Sequence, residues 1–239
     1  MPTPLRGNIP VLRSFFSYFG GKSGTARYYP CPRYDTVIEP FAGAAGYSVR
    51  HHTKKVLLYD KDPIICGLWE YLIRVTESEI RSLPLSFEST HGLNVCQEAK
   101  WLLGFWIVKG QSSPGYIPSP WMKLGAISCW GDKVRERVAS QLRYIRHWRV
   151  KEVSYKILPN MEATWFVDPP YQKAGSEYKF KVFDYERLGK WCRTRLGQVI
   201  VCEAEGVDWL PFRTFRSMPS TNHPDRPKVS HEVIWTNEV

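Results

Sequence analysis

The run Asp168-Pro169-Pro170-Tyr171 is the sharpest chemical feature of the chain. Two successive prolines fix φ and lack N–H donors, so the carbonyl before them is left free. A rigid turn of this kind presents the Asp168 carboxylate and a backbone carbonyl as acceptors side by side, with the Tyr171 ring above them. Two acceptors and an aromatic face suit the exocyclic amino group of a flat base. An ordinary turn is the alternative, but this motif follows a buried apolar run and comes after two other ligand-type motifs.

The first of these is Glu39–Gly46, EPFAGAAG. Gly43 and Gly46 let the backbone approach a ligand and then start a helix, as glycine-rich turns do in nucleotide-binding sheets. The spacing is not that of the dinucleotide fingerprint. Asp60 follows about twenty residues on, where an acid accepts hydrogen bonds from ribose hydroxyls. An adenosine-containing cofactor is implied, and no pyrophosphate is required. A further stretch, FFSYFGGKSG from Phe15 to Gly24, ends like a nucleotide-binding phosphate loop. That loop needs a glycine six positions before the lysine. The position is Phe16, and no β-branched strand leads in, so the NTPase reading is weak although the turn still looks built to hold a ligand.

Four short apolar runs position these motifs: Thr36 to Ile38, Val56 to Tyr59, Trp165 to Val167 and Val199 to Cys202. Each is too short for a helix and reads as a strand buried on both faces. Each leads to an acid, Glu39, Asp60, Asp168 or Glu203, and ligands bind beyond the carboxyl ends of parallel strands. Helical segments alternate with the strands. In DPIICGLWEYLIRVT, Ile64, Leu68, Tyr71 and Leu72 share a face; in DYERLGKWCRTRLG, Asp184 caps, Leu188, Trp191 and Cys192 face inward, and Gly197 ends the helix. The fold class is therefore α/β: a Rossmann-like, mostly parallel sheet with helices on both faces and an antiparallel C-terminal hairpin.

Residues 76–148 break this rhythm and read as a small, mostly helical insertion between the two parts of the main domain, 1–75 and 149–239. Its last segment places Val134, Val138, Leu142, Ile145 and Trp148 at helical spacing, with Arg135, Arg137, Arg143, Arg146 and Arg149 on other faces. The formal net charge of +10 over 239 residues favours a phosphate-rich partner. Arg135, Arg143 and Arg146 are the candidate contacts, against the alternative of a merely solvated basic face. The 14% aromatic content suits base stacking as well as a core. The six cysteines have no metal-type spacing, no apolar run is long enough to span a membrane, and no signal peptide is evident, so the chain reads as a reduced cytosolic protein without zinc.

With YFGGK, EPFAGAAG, LYDKDP and FVDPPY in this order, the chain resembles the Dam-like (D12 class) adenine-specific DNA methyltransferases. The resemblance covers most of the chain and implies S-adenosylmethionine as cofactor and double-stranded DNA as partner, in a bacterial or phage setting. It implies that Tyr18 and Lys22 hold the methionine part, that Glu39, Phe41 and Gly43 form the cofactor loop, and that Asp60 binds the ribose. Asp168, Pro169 and Tyr171 match the catalytic motif, with Asp168 also beside the cofactor. It makes 76–148 the target-recognition insertion. The family carries an acid in a short strand before the catalytic motif; here Ser154 stands in its place.

The expected reaction is direct transfer to the N6 amino group of a flipped adenine, with no metal and no covalent intermediate. Asp168 and the Pro169 carbonyl accept its N–H bonds, Tyr171 stacks on the base and Phe180 covers its other face. The alternatives are N4-cytosine methylation, RNA methylation, or a DNA-binding protein that has lost catalysis on the same scaffold.

Overall fold

The computed structural model describes residues 9–118, 120, 129–173, 178–182, 184–219 and 229–237. The strands are β1 (Thr36–Glu39), β2 (Lys55–Asp60), β3 (Arg149–Glu152), β4 (Ala163–Val167), β5 (Gly197–Ala204), β6 (Arg213–Pro219) and β7 (Val229–Thr236). They form one 7-stranded sheet in the order β3-β2-β1-β4-β5-β7-β6. From β3 to β5 every pairing is parallel, and β7 joins β5 and β6 antiparallel. The strands grow as expected, by one to several residues beyond each apolar run. Most of the polar stretch that links β6 to β7 lies outside the described residues.

Alternation along the strands splits the core between the two faces. Val37, Val56, Leu58, Ile200 and Cys202 pack on one side, and Ile38, Trp165, Val167, Val199 and Val201 on the other. The first side is covered by α1 (Gly46–Arg50), α2 (Pro63–Arg74), α4 (Gln97–Ile107) and α5 (Asp132–Gln141), with α3 (Glu77–Ser82) against α5. The second is covered by α6 (Tyr185–Arg193), Tyr155, Leu158 and Trp209.

The helix starts follow local chemistry. Asp62 accepts from the Ile64 N–H at 2.9 Å with Pro63 in the first turn, Thr76 and Glu79 make a reciprocal capping box, and Asp184 accepts from the Arg187 N–H at 2.8 Å. Several details differ from the sequence reading. The helix whose apolar spacing ran on to Trp148 ends at Gln141, a tighter turn follows over Leu142–Tyr144, and Arg149 opens β3. On α2 the inward residues are Ile65, Cys66, Leu68, Trp69 and Leu72, while Ile64 and Tyr71 are half-buried. The helix is turned by Trp69, whose indole packs on Phe15, Phe16 and Trp148 and donates to the Gly43 carbonyl at 2.8 Å. Gly197 does not end α6, which stops at Thr194. It opens β5 at φ 92°, where a Cβ would lie 2.3 Å from the Ala163 carbonyl oxygen.

Segment 76–148 does not stand apart from the sheet. Leu102, Phe105, Val134, Val138, Leu142, Ile145 and Trp148 are buried in the same cluster as Val37 and Leu58. The segment, with α2, is the crossover between the parallel strands β2 and β3.

Candidate active site

From β1 the chain steps outward through β2 to β3, then returns to the other side of β1 with β4 and β5. The connections therefore diverge between β1 and β4, and the carboxyl ends of these two strands flank a crevice where α/β sheets bind ligands. A cavity of about 1060 Å³, part of it open to solvent, lies there. Tyr18, Lys22, Glu39, Phe41, Gly43, Asp60 and Asp168 all line it, together with Phe180. The structure thus joins in one cavity every residue that the sequence assigned to cofactor binding.

The glycines serve contacts between the motifs. At Gly46 a Cβ would lie 2.6 Å from the Ser23 nitrogen and 2.8 Å from the Lys22 carbonyl carbon, so the start of α1 meets the Gly-Gly-Lys turn backbone to backbone. Gly43 has φ 44° and faces the Tyr18 ring, 3.0 Å from where a Cβ would be. The turn answers to no phosphate-loop geometry. It brings Lys22 under the cavity.

Lys22 is buried, and its ammonium donates to Asp168 Oδ2 at 2.8 Å and to the Gly20 carbonyl at 2.9 Å, with Glu232 Oε1 at 3.7 Å. Burial works against its charge, but Asp168 and then Glu232 outweigh it and hold the ammonium above its ordinary pKa. Two protein acceptors, on Asp168 and Gly20, thus hold the Lys22 ammonium at the cavity. Asp168 has its carboxyl pushed up by burial, against the pull of Lys22. Its Oδ1 is buried and has no hydrogen-bond partner among the described residues.

Asp60 ties two loops together, accepting from the Gly43 N–H at 3.0 Å and the Asp62 N–H at 2.9 Å. Burial raises its pKa to about 6. An ionised carboxylate offers about four acceptor sites, so Asp60 keeps acceptor capacity beyond its backbone contacts. Glu39 accepts from the Ser48 N–H at 2.7 Å, and burial raises its pKa to about 8. Phe41 lies against Tyr155, ring centroids 5.3 Å apart, giving the cavity an aromatic wall.

Some expected residues fall elsewhere. Tyr171 does not line the cavity. Its hydroxyl donates to Glu232 Oε1 at 2.7 Å, and the Lys22 ammonium sits 4.9 Å from its ring centroid. Pro169 borders the cavity without lining it; the Pro170 carbonyl accepts from the Tyr185 hydroxyl at 2.6 Å, whereas no described residue donates to the Pro169 carbonyl. Ser154 caps a short 310 turn through the Lys156 N–H, and the residues facing the cavity are its neighbours Tyr155 and Lys156. Glu203 accepts from the Gln172 and Ala204 N–H groups and from the Trp209 indole, so it fixes the loop after the Asp-Pro-Pro-Tyr turn instead of facing a ligand.

The three arginines expected to meet nucleic acid lie away from the cavity and already make contacts within the chain. Arg146 donates to the Ile73 and Val75 carbonyls at the end of α2, Arg135 to the Leu83 carbonyl and Asp132, and Arg143 to the Ser140 carbonyl. Nearby, Trp148 donates to the His52 carbonyl, just before β2 begins. These residues therefore sit at the amino edge of the sheet, the length of α2 from the cavity, about 18 Å for its 12 residues. A charge pattern reports that a helix face is basic, not that its charges lack carbonyls to cap.

Sequence reasoning missed Glu232, Tyr178 and the lysines at the cavity mouth. Lys61, Lys156, Lys179 and Lys181 line the cavity, are exposed, and form no ion pair among the described residues. The available signal was SEYKFKVF, where lysine alternates with aromatics, and an acid in the apolar run HEVIW.

Fold and site define an α/β protein with a ligand cavity at the switch point of a Rossmann-like sheet. No model of a known protein family matches the chain, and no curated protein matches it significantly. Among the described residues no group of His, Cys, Asp and Glu is placed to hold a metal ion, and no helix is long and apolar enough to cross a membrane.

Proposed function

We propose that this protein is a DNA methyltransferase that methylates the N6 amino group of adenine, with S-adenosylmethionine as methyl donor. One observation carries the reading. Four motifs far apart in sequence line a single switch-point cavity whose wall holds a buried carboxylate oxygen, Asp168 Oδ1, with no partner among the described residues. An unpaired buried acceptor costs stability, on the order of 1–3 kcal/mol, and is retained where a ligand supplies the donor.

The residues present fit the cofactor. Phe41 and Tyr155 offer an aromatic wall to its adenine, Asp60 keeps acceptor capacity for its ribose hydroxyls, and the acids of the floor favour a cationic sulfonium. When bound, S-adenosylmethionine supplies an electrophilic methyl group. The chain's own part is to hold the acceptor amine. Asp168 Oδ1 and the Pro169 carbonyl accept the two N–H bonds of the base, which directs the nitrogen lone pair outward. Asp168 then takes the released proton, a task helped by the upward shift that burial gives its carboxyl. Lys22 fixes Oδ2, so the carboxylate needs no reorientation during the reaction.

Lys61, Lys156, Lys179 and Lys181 bring positive charge to the cavity mouth, where a duplex delivering a flipped base has its phosphates. Phe180, 37% exposed, stands among them with Lys179 over its ring. The resemblance to Dam-like methyltransferases in YFGGK, EPFAGAAG and FVDPPY supports the same reading.

The test is transfer of labelled methyl from S-adenosylmethionine to unmethylated duplex DNA, with the product nucleosides identified. N6-methyladenine is expected. N4-methylcytosine would keep the site and replace the substrate, and label in RNA alone would replace the polymer. S-adenosylmethionine binding without transfer to either polymer would overturn the catalytic reading.

A further inference from the structure

Glu232 is a charge inside a sheet. On β7 it pairs with Ala204 of β5 and Arg216 of β6, and only 5% of it is exposed. Such a position favours an apolar residue unless the charge is paired. Three groups from separate parts of the chain converge on its Oε1: the Tyr29 hydroxyl at 2.7 Å, the Tyr171 hydroxyl at 2.7 Å and the Lys22 ammonium at 3.7 Å. Its Oε2 is buried without a partner among the described residues.

Two of those groups belong to the reaction site. Lys22 also holds Asp168 Oδ2 at 2.8 Å, and Tyr171 is the last residue of the motif that begins with Asp168. One buried ammonium is therefore divided between two carboxylates. We propose that Glu232 is a positioning residue for the amine-accepting Asp168: it anchors the Asp-Pro-Pro-Tyr turn through the Tyr171 hydroxyl and draws off part of the Lys22 charge, so that Asp168 stays a strong acceptor. If Lys22 were paired with Asp168 alone, its charge would weaken the carboxylate that must accept an N–H bond of the amine and then its proton. With Glu232 beside it, the Lys22 ammonium is shared between two carboxyl groups, which leaves Asp168 the better acceptor for a proton arriving from the amine.

The chemical role rests on the methyltransfer reading, but the electrostatic claim can be measured on the ligand-free protein. Asp168 is faced by Tyr18 and Lys22 from the N-terminal loop, Tyr29 beyond it, Glu39 from β1, Cys202 and Glu203 from β5, Glu232 from β7, and Tyr171 and Tyr178 from its own side. Among these, Glu39, Glu203 and Glu232 are the acids, and only Glu232 approaches Lys22 closely enough to appear as its ion pair beside Asp168.

The experiment is carboxyl ¹³C NMR on the full chain labelled at Asp, with the Asp168 signal assigned by its loss in Asp168→Asn. In Glu232→Gln, which keeps an oxygen for both tyrosines, the Asp168 midpoint should fall by about half to one pH unit. Glu232→Asp draws the charge back by one methylene and should give a smaller fall in the same direction, which keeps the comparison open if the amide variant folds poorly. An unchanged midpoint in the variants that fold overturns the inference. In wild-type protein that transfers methyl, Glu232→Gln should also lower kcat by about 10- to 100-fold, move the acid limb of the rate profile to lower pH, and leave KM for DNA within about threefold. A uniform loss with an unmoved limb would assign Glu232 a structural role only. Absence of transfer by the wild type would count against the methyltransferase reading and leave the NMR result standing on its own.

Discussion

The two edges of the sheet handle polar groups in opposite ways. At the amino edge, Arg135 and Arg146 spend their guanidinium groups on the carbonyls of Leu83, Ile73 and Val75, and Gln141 closes both the N–H and the carbonyl of Arg13. At the carboxyl edge, among the described residues, Asp168 keeps one oxygen buried and unpaired, Asp60 keeps acceptor capacity, and four lysines at the mouth form no ion pair. The arginines and Gln141 of one edge staple the chain, while the acids and lysines of the other line a cavity, although buried ring nitrogens of His52 lack partners among the described residues at the amino edge as well.

The largest effect that this contrast predicts is at Lys22. Lys22→Met leaves Asp168 and Glu232 buried without their shared cation, a loss of about 3–5 kcal/mol by analogy with broken buried pairs. A fall in Tm with loss of methyl transfer is expected, and an unchanged Tm would show that the pair is not held as described. Next comes the lysine rim. Replacing Lys61, Lys156, Lys179 and Lys181 together by Glu should weaken DNA binding by more than about tenfold and flatten its salt dependence by roughly three to four charges. The Tm should hardly move. Retained affinity with an unchanged salt slope would return attention to the opposite edge.

Arg146→Ala reverses the pattern. It uncaps the end of α2 and should cost about 1–3 kcal/mol in thermal or denaturant unfolding while leaving DNA affinity unchanged. Weaker DNA binding in a stably folded Arg146→Ala would contradict the division between the edges. The smallest effect concerns Glu39, whose pKa is raised from 4.5 to about 8 by burial. The folded state binds this proton more tightly than the unfolded one, so the contribution is fully present below about 4.5 and is lost as pH rises toward 8. Unfolding of the ligand-free protein across this window should therefore show a decline that Glu39→Gln lacks.

How much of this was legible in the sequence follows the same division. Short β-branched and aromatic runs announced β1, β2, β4 and β5, because a strand buried on both faces has little other composition to choose from, whereas the polar edge strand β3 (RVKE) carried no such run. Motifs next to strand ends, such as Gly43, Asp60 and Asp168, were legible because topology carries all such ends to one edge. Glu232 and Tyr178 were not, since their partners are distant in sequence: Glu232 meets Tyr29 across 203 positions and Tyr178 meets Phe19 across 159. The contacts of the arginines were hidden for a related reason. Periodicity gave the correct buried face of Val134, Val138 and Leu142, but the carbonyls at the end of α2 that Arg146 caps are set by how the helices pack, which periodicity does not reveal.

The most direct test of the central claim is the rate of methyl transfer to duplex adenine by Asp168→Asn beside the wild type, with folding verified by Tm. Asparagine keeps the shape of the side chain and removes its charge. Transfer should fall by at least about 10²–10³-fold in a protein that remains folded. Transfer at near wild-type rate would place the amine acceptor elsewhere and contradict the account.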